Sequence, residues 1–395
     1  MPADTAVIAA WARSAVMPHS GAFASLQAHQ IAAPVVRGLL ARAGLAPHAV
    51  DALVCGNALA AGGNPARMVA LAAGLPDACA ALSVDTQCCS GLDAVSLAVG
   101  MLASGQARVV IAGGAEAWSR APLRHTRPMH ADEVPVPYER PAFAPDAQRD
   151  PDLLEAAALY ARTHGITRFQ QDNYAVQSHQ RAVAGSARLR HELVDVGPGG
   201  ITAADRLLDA YPRRITAALA ARMPQAAGRG TDCAVSTLAV SARADGAAFV
   251  LLATREACAE WGLVPRAQWL AGASIGCGSE QPMLAAAMAA RSAMERARIA
   301  HAGVLQAVEL HDAFAVQGLQ FCADLGLSPD AINRLGGGLA RGHPIGASGA
   351  VALVRLLADL DHLHSEGAGV ATGLVAVAGA GGIGAAAVLQ VPVNA

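Results

Sequence analysis

One strand–turn–helix–strand pattern occurs twice in this chain, and it constrains the fold more than any other feature. An extended apolar segment, Ala81-Leu82-Ser83-Val84, leads into Asp85-Thr86-Gln87-Cys88-Cys89-Ser90-Gly91. Leu92, Val95, Val99 and Leu102 then recur at helical spacing. The helix leads through Ala107-Arg108 to a strand at Val109–Ala112 and to Gly113-Gly114. Far downstream, Ser348-Gly349 opens a second helix that leads to a strand at Leu374–Val377 and to Gly381-Gly382. Both halves read as βαβ units with right-handed crossovers, which puts the chain in the α/β class. At 395 residues it is too long for one simple domain and divides into two or three units.

The first of these turns carries Cys88. A cysteine where a strand gives way to a helix meets backbone N–H groups and the positive end of the helix dipole. That placement is expected to favour the thiolate and to supply donors to an oxyanion. Two histidines sit in comparable contexts. His311 follows an apolar run, Val304 to Leu310, and precedes a helix in Val308-Glu309-Leu310-His311-Asp312-Ala313-Phe314. His343 lies in Gly336-Gly337-Gly338-Leu339-Ala340-Arg341-Gly342-His343-Pro344-Ile345-Gly346-Ala347-Ser348. There the glycines allow close backbone approach and Pro344 fixes the chain. Taken singly, each of the three residues reads as an ordinary core residue. Together they read as a nucleophile with acid/base partners.

Composition excludes several classes. The formal net charge of −2 argues against a nucleic-acid footprint. There is no lysine, so Schiff-base chemistry on a side-chain amine and a Walker-type phosphate lysine are ruled out. The eight cysteines show no Cys-x-x-Cys and no zinc spacing, so no metal site is expected. Without a recognisable signal peptide they read as reduced thiols of a cytoplasmic protein. The uncharged run from Gly367 to Asn394 is broken by glycines at 379–384, and reads as two buried strands rather than a membrane span.

Along nearly its whole length the chain resembles the thiolase superfamily. The resemblance rests on Val7-Ile8-Ala9-Ala10-Trp11-Ala12-Arg13, on Cys55-Gly56-Asn57 with Asn64-Pro65-Ala66-Arg67, and on the Cys88 turn. It continues through Gly113-Gly114-Ala115-Glu116-Ala117-Trp118-Ser119, Gly165-Ile166-Thr167-Arg168, Ser178-His179-Gln180-Arg181-Ala182, Asp245-Gly246-Ala247-Ala248 and both histidine motifs. It implies two stacked βαβ-rich halves in α-β-α-β-α layers with an inserted loop domain. Residues 1–119 with 245–260 would form the N-terminal half, 120–244 the loop domain that covers the substrate, and 261–395 the C-terminal half.

The same resemblance implies roles. Cys88 would take the acyl group of a thioester and His343 would activate it. The N–H groups of Cys88 and Ala380 would form one oxyanion hole, and His311 with His343 the other. Ser241, Gly342, Gly381 and Phe314 would contact substrate. Arg120, Arg124, Arg127, Arg213 and Arg214 are candidate phosphate contacts. The substrate would be an acyl thioester of coenzyme A or of an acyl carrier, with no permanently bound cofactor. The assembly would be a homodimer, or a dimer of dimers, without nucleic-acid or membrane partners.

Two departures bear on the reaction. His311-Asp312-Ala313-Phe314 stands where degradative and biosynthetic thiolases carry Asn-Glu-Ala-Phe, and is similar to the sterol-carrier-protein type. The second acid/base cysteine of thiolases is replaced by Ala378, in Ala378-Gly379-Ala380-Gly381-Gly382, and by Ala313. Alanine moves no proton. The remaining Cys-His-His set resembles decarboxylating β-ketoacyl synthases, which need no α-proton abstraction. In addition, Asp152-Leu153-Leu154-Glu155 occupies the stretch of the family's usual His-Met pair. Three functions follow: an acyltransferase making or cleaving a 3-ketoacyl bond, a decarboxylative condensing or acyl-transfer enzyme, and a non-catalytic subunit of a complex. Retention of all three reactive residues argues against the last.

Overall fold

The computed structural model describes residues 6–60, 62–197, 202 and 204–392. Asn394 and the outermost residues of the two expected halves lie outside them. The chain opens with β1 (Val7–Arg13), β2 (Met17–Pro18), α1 (Ala28–Ala43), β3 (Ala52–Gly56), α2 (Pro65–Ala73), β4 (Ala80–Val84), α3 (Ser90–Ala103) and β5 (Val109–Ala117). A hairpin follows, β6 (Arg124–His125) with β7 (Pro137–Tyr138). Next come α4 (Leu153–Thr163), α5 (Arg168–Ala184), α6 (Ser186–Leu189), α7 (Ala217–Ala220), β8 (Gln225–Ala227) and β9 (Val235–Ser236). The last stretch holds β10 (Ala244–Ala253), α8 (Arg255–Trp261), β11 (Ala267–Gly276), α9 (Ala285–Arg296) and β12 (Ala307–His311). It ends with α10 (Ala315–Leu325), α11 (Gly338–Arg341), α12 (Ser348–Ser365), β13 (Ala371–Gly379) and β14 (Ile383–Val391).

The strands form two half-sheets, β4-β3-β5-β10-β1 and β11-β14-β13-β12. β3 runs parallel to β4 and β5, while β10 runs antiparallel to β5 and β1. In the second half β12 and β13 are parallel, and β14 is antiparallel to β13 and β11. Among the described residues, the two half-sheets pair edge to edge at Val7–Gln268 and Ile8–Ala267.

Alternation along the strands sends side chains into three apolar layers. Val110 and Ala112 of β5 face Leu92 and Val95 of α3, together with Val351 of α12 and Val375 and Val377 of β13. Val109 and Ile111 face the other way, onto Ile31 and Val35 of α1 and Val69 of α2. Leu374 and Ala376 of β13 face Ala286 and Ala290 of α9 and Val316 and Phe321 of α10. Helices α3 and α12 are therefore the middle of five layers, α-β-α-β-α. They cross closely at their first turns: a Cβ on Gly91 would lie 2.9 Å from the Ala350 Cβ, and one on Gly349 2.9 Å from the Leu92 Cβ. Only glycine permits that approach.

The uncharged C-terminal run forms β13 and β14, nearly all of it buried. No helix among the described residues is long and apolar enough to cross a membrane. The strand expected over Val304 to Leu310 is shorter. Ala302–Val304 is a 3-10 turn, and the Leu305 N–H turns back onto Ala302 O (3.1 Å). Pairing begins where the Gln306 N–H reaches Thr372 O (2.9 Å), so His311 is the last strand residue rather than the first beyond it.

Candidate active site

The nucleophile turn is held by its own residues. Gln87 adopts φ +53, a strained conformation for a residue with a side chain. Asp85 Oδ1 accepts from the Gln87 N–H (2.9 Å). Ser90 Oγ accepts from the Thr86 N–H (2.9 Å) and donates to Gln87 O (2.6 Å). Asp93, one turn into α3, accepts from Thr86 Oγ1 (2.6 Å) and from Ser274 Oγ, tying the turn to β11. Cys88 is thereby set at the start of α3, 9% exposed.

The base turn comes from the other half. The His343 N–H donates to Ala242 O (2.7 Å), and the Trp118 indole donates to His343 O (3.1 Å). With the backbone clamped on both sides, Nε2 lies 3.1 Å from Cys88 Sγ. Nδ1 lies 2.8 Å from Ser348 Oγ and 2.6 Å from His311 Nε2. Ser348 sends its own hydrogen to Pro344 O (3.1 Å), which leaves its lone pairs for an Nδ1–H. This network assigns the proton of neutral His343 to Nδ1 and leaves Nε2 free to accept the thiol proton.

Burial governs the charge state. It pushes the Cys88 thiol up to about 12, although the N–H groups of Ala380 and Cys88 itself hydrogen-bond the sulfur and oppose it. It lowers His343 to about 4, and His311 well below its ordinary value with help from His343 and Arg341. The expected thiolate therefore does not rest in this site. Desolvation outweighs the helix terminus, and the resting pair is a neutral thiol against a neutral imidazole.

Two cavities meet at Cys88, His343, Leu153 and Ala380. One, about 110 Å³, is lined by Ala313, Phe314, Ser241 and Ala378. The other, about 290 Å³, is lined by Leu59, Trp118, Phe143, Arg124 and Arg243. Ser241 Oγ donates to Gly338 O (2.6 Å) and so helps fix the turn before His343. Gly342 (φ +104) and Gly381 (φ +82) are on neither wall: they pack against Tyr211 and Phe143 respectively. His311 is off the walls too, stacked behind His343 at 4.4 Å between ring centroids. Of the five arginines singled out, Arg124 lines the larger cavity; Arg120, Arg127, Arg213 and Arg214 line neither.

The family's sequence profiles match across the chain: thiolase, N-terminal domain over residues 6–256, and thiolase, C-terminal domain over 263–391. The chain belongs to the thiolase family. An acetyl-CoA acetyltransferase of Allochromatium vinosum is 34% identical over 90% of this chain and 93% of its own length. A putative acetyl-CoA C-acetyltransferase of Bacillus subtilis is 33% identical over 91% and 92%. The solved Acat5 thiolase of Ascaris suum, in complex with coenzyme A, is similar at a TM-score of 0.86 and 25% identity, covering 98% of this chain and 100% of that one.

Within this thiolase framework, Ala313 and Ala378, the positions expected to lack a second acid/base cysteine, both face the smaller cavity beside Cys88. Cys89 does not replace it. Its Sγ points into the core, towards Val377 O (3.6 Å) and Ile383 O (3.8 Å). Among the described residues Cys88 is the only thiol on either wall.

Sequence reasoning missed Glu116. Its buried carboxylate accepts from Asn57 Nδ2 (2.7 Å), the Ala58 N–H (2.9 Å) and the Gly346 N–H (3.0 Å). It thereby ties the β3 end to the turn after His343, and burial raises it to about 7. The available signal was an acidic residue inside the apolar strand Val109–Ala117.

Proposed function

We propose that this thiolase-like acyltransferase works through an acyl-enzyme on Cys88. The observation that carries the reading is the Cys88 Sγ–His343 Nε2 contact of 3.1 Å at the meeting of two substrate-sized cavities. The thiol proton moves to His343 Nε2 as sulfur attacks the thioester carbonyl, so no free thiolate is required. The N–H groups of Cys88 and Ala380 hold the tetrahedral oxyanion. The leaving thiolate takes the proton from His343, and the acyl group stays on Cys88. Coenzyme A is the proposed carrier, and residues 120–244 are the proposed covering domain.

The second step is proposed to form a 3-ketoacyl bond by Claisen chemistry, with His343 facing the enolate and His311 supporting it from behind. Because Ala313 and Ala378 line the smaller cavity, a nucleophile made by decarboxylation is favoured over one made by α-proton abstraction. The proposed assembly is a homodimer paired along the edge strand β4, where Leu82 is 43% exposed. All eight cysteines are free thiols, which supports a reducing, cytoplasmic setting.

Acetyl- and longer acyl-CoA are expected to add one acyl mass per chain, mapped to Cys88 and absent in Cys88→Ala. An adduct on Cys89 with Cys88 untouched would overturn the assignment. Acetoacetyl-CoA thiolysis by the natural chain is expected to be slow, and Ala378→Cys is expected to raise it without changing the first acylation. Fast thiolysis by the natural chain would show that an added thiol is not needed.

A further inference from the structure

The larger cavity beside Cys88 exceeds what an acetyl group requires. It encloses about 290 Å³, whereas an apolar cavity of about 150 Å³ already holds benzene. Leu59, Trp118, Phe143, Leu153 and Ile345 give its wall a large apolar part. Arg124 and Arg243 also line it, and both line as well the neighbouring groove, whose wall does not include Cys88. The charged groups on this wall are otherwise matched. Arg243 pairs with Glu139 (3.1 Å) and lies over Trp118 (4.6 Å). Arg140 pairs with Asp150 (2.8 Å). Asp152 caps α4 through the Leu154 and Glu155 N–H groups (2.9 and 3.1 Å). The half-buried Arg124 side chain makes one hydrogen bond among the described residues, Nη2 to Ala58 O at 3.5 Å, the long limit of such a bond. Five N–H donors are thus almost unused on the wall of a cavity with a large apolar part.

Resting on the acyl-enzyme reading above, we propose that the acyl group delivered to Cys88 is a chain of several carbons ending in a carboxylate, which Arg124 receives. The methylenes fill the apolar wall, and the guanidinium fork matches a carboxylate through two parallel hydrogen bonds. Acetyl would leave most of the cavity empty and Arg124 unpaired.

A phosphate of the acyl carrier is the other anion with this chemistry. Thioesters of N-acetylcysteamine carry no phosphate and separate the two. Cys88 acylation is followed by mass spectrometry with adipyl- and hexanoyl-N-acetylcysteamine. The natural chain is expected to prefer the adipyl thioester by about tenfold or more in kcat/KM, the range of a charge-assisted hydrogen bond. Arg124→Gln is expected to bring the ratio close to one, and Arg124→Lys to keep part of it. Equal rates in the natural chain overturn the proposal, as does a ratio unmoved by Arg124→Gln. A loss in Arg124→Gln confined to coenzyme A thioesters makes Arg124 a phosphate contact and also overturns it. If acetyl, hexanoyl and adipyl thioesters all leave Cys88 unmodified, the acyl-enzyme reading falls first, a result distinct from the others.

Discussion

Ser90 and Ser348 hold the same place in the two halves, each the first residue of a long helix and each preceded by a 3-10 turn, Gln87–Cys89 or Ile345–Ala347. Their hydroxyls do different work. Ser90 closes its own turn between the Thr86 N–H and Gln87 O, and the reactive group, Cys88, sits inside that turn. Ser348 reaches back to Nδ1 of His343, a residue outside the turn. The first turn holds a strained backbone around a nucleophile, mainly through local bonds, with Ser274 adding one from β11. The second must orient a side chain, which takes a clamp from Ala242, Trp118 and Ser348 on three separate segments. A duplicated scaffold thus supplies a positioned backbone twice, and the chemistry comes from how each copy spends its serine.

The sharpest test of this contrast is the base itself. His343→Ala is expected to slow Cys88 acylation by about 10²–10⁴-fold, the usual cost of losing a general base. An unchanged rate of acyl-mass gain would make His343 structural and the second turn no different in kind from the first.

The two serines come next. Ser348→Ala is expected to slow acylation by roughly tenfold, because the imidazolium formed during attack loses a hydrogen-bond partner. Ser90→Ala is expected instead to cost about 1–2 kcal/mol of stability, since Thr86 and Gln87 lose a shared partner. Acylation rates and urea midpoints of both variants read the split. Matching behaviour of the two would dissolve the comparison.

The smallest effect is in pH. His343 titrates at about 4 in the fold against an ordinary 6.5, so below 6.5 the unfolded chain binds the extra proton. Its contribution to stability is present above 6.5 and is lost as pH falls towards 4. His343→Gln is expected to shallow the fall of the urea midpoint across that window. The acylation rate of the natural chain, limited by a neutral pair, is expected to stay level between about pH 5 and pH 7. A steep rise of the rate through pH 6.5 would mean that His343 titrates normally.

Much of this molecule was legible before folding. Apolar extended runs, helical spacing and glycine-punctuated turns gave the α/β halves, because buried strands are apolar on both faces. The strand–turn–helix contexts of Cys88, His311 and His343 pointed to one site. The thiolase resemblance marked positions 313 and 378 as lacking thiols, and that alanine moves no proton is a property of the residue itself.

Proximity and solvation were decided by the tertiary structure. The helix-terminus argument favoured a thiolate, but burial from both halves outweighs a local dipole, and no local pattern reports burial. Cys89 is next to the nucleophile in sequence, but packing turns it towards Val377 O and Ile383 O. His311 drew back behind His343 because ring stacking depends on where β12 ends relative to a turn 32 residues later. Glu116 acquired its role only when β5 met the Gly346 turn, 230 residues away in sequence. Sequence determines which groups are able to react and which backbone turns present them. Only the packed chain determines which groups share a cavity and how much water they lose, because both depend on contacts between segments far apart in the chain.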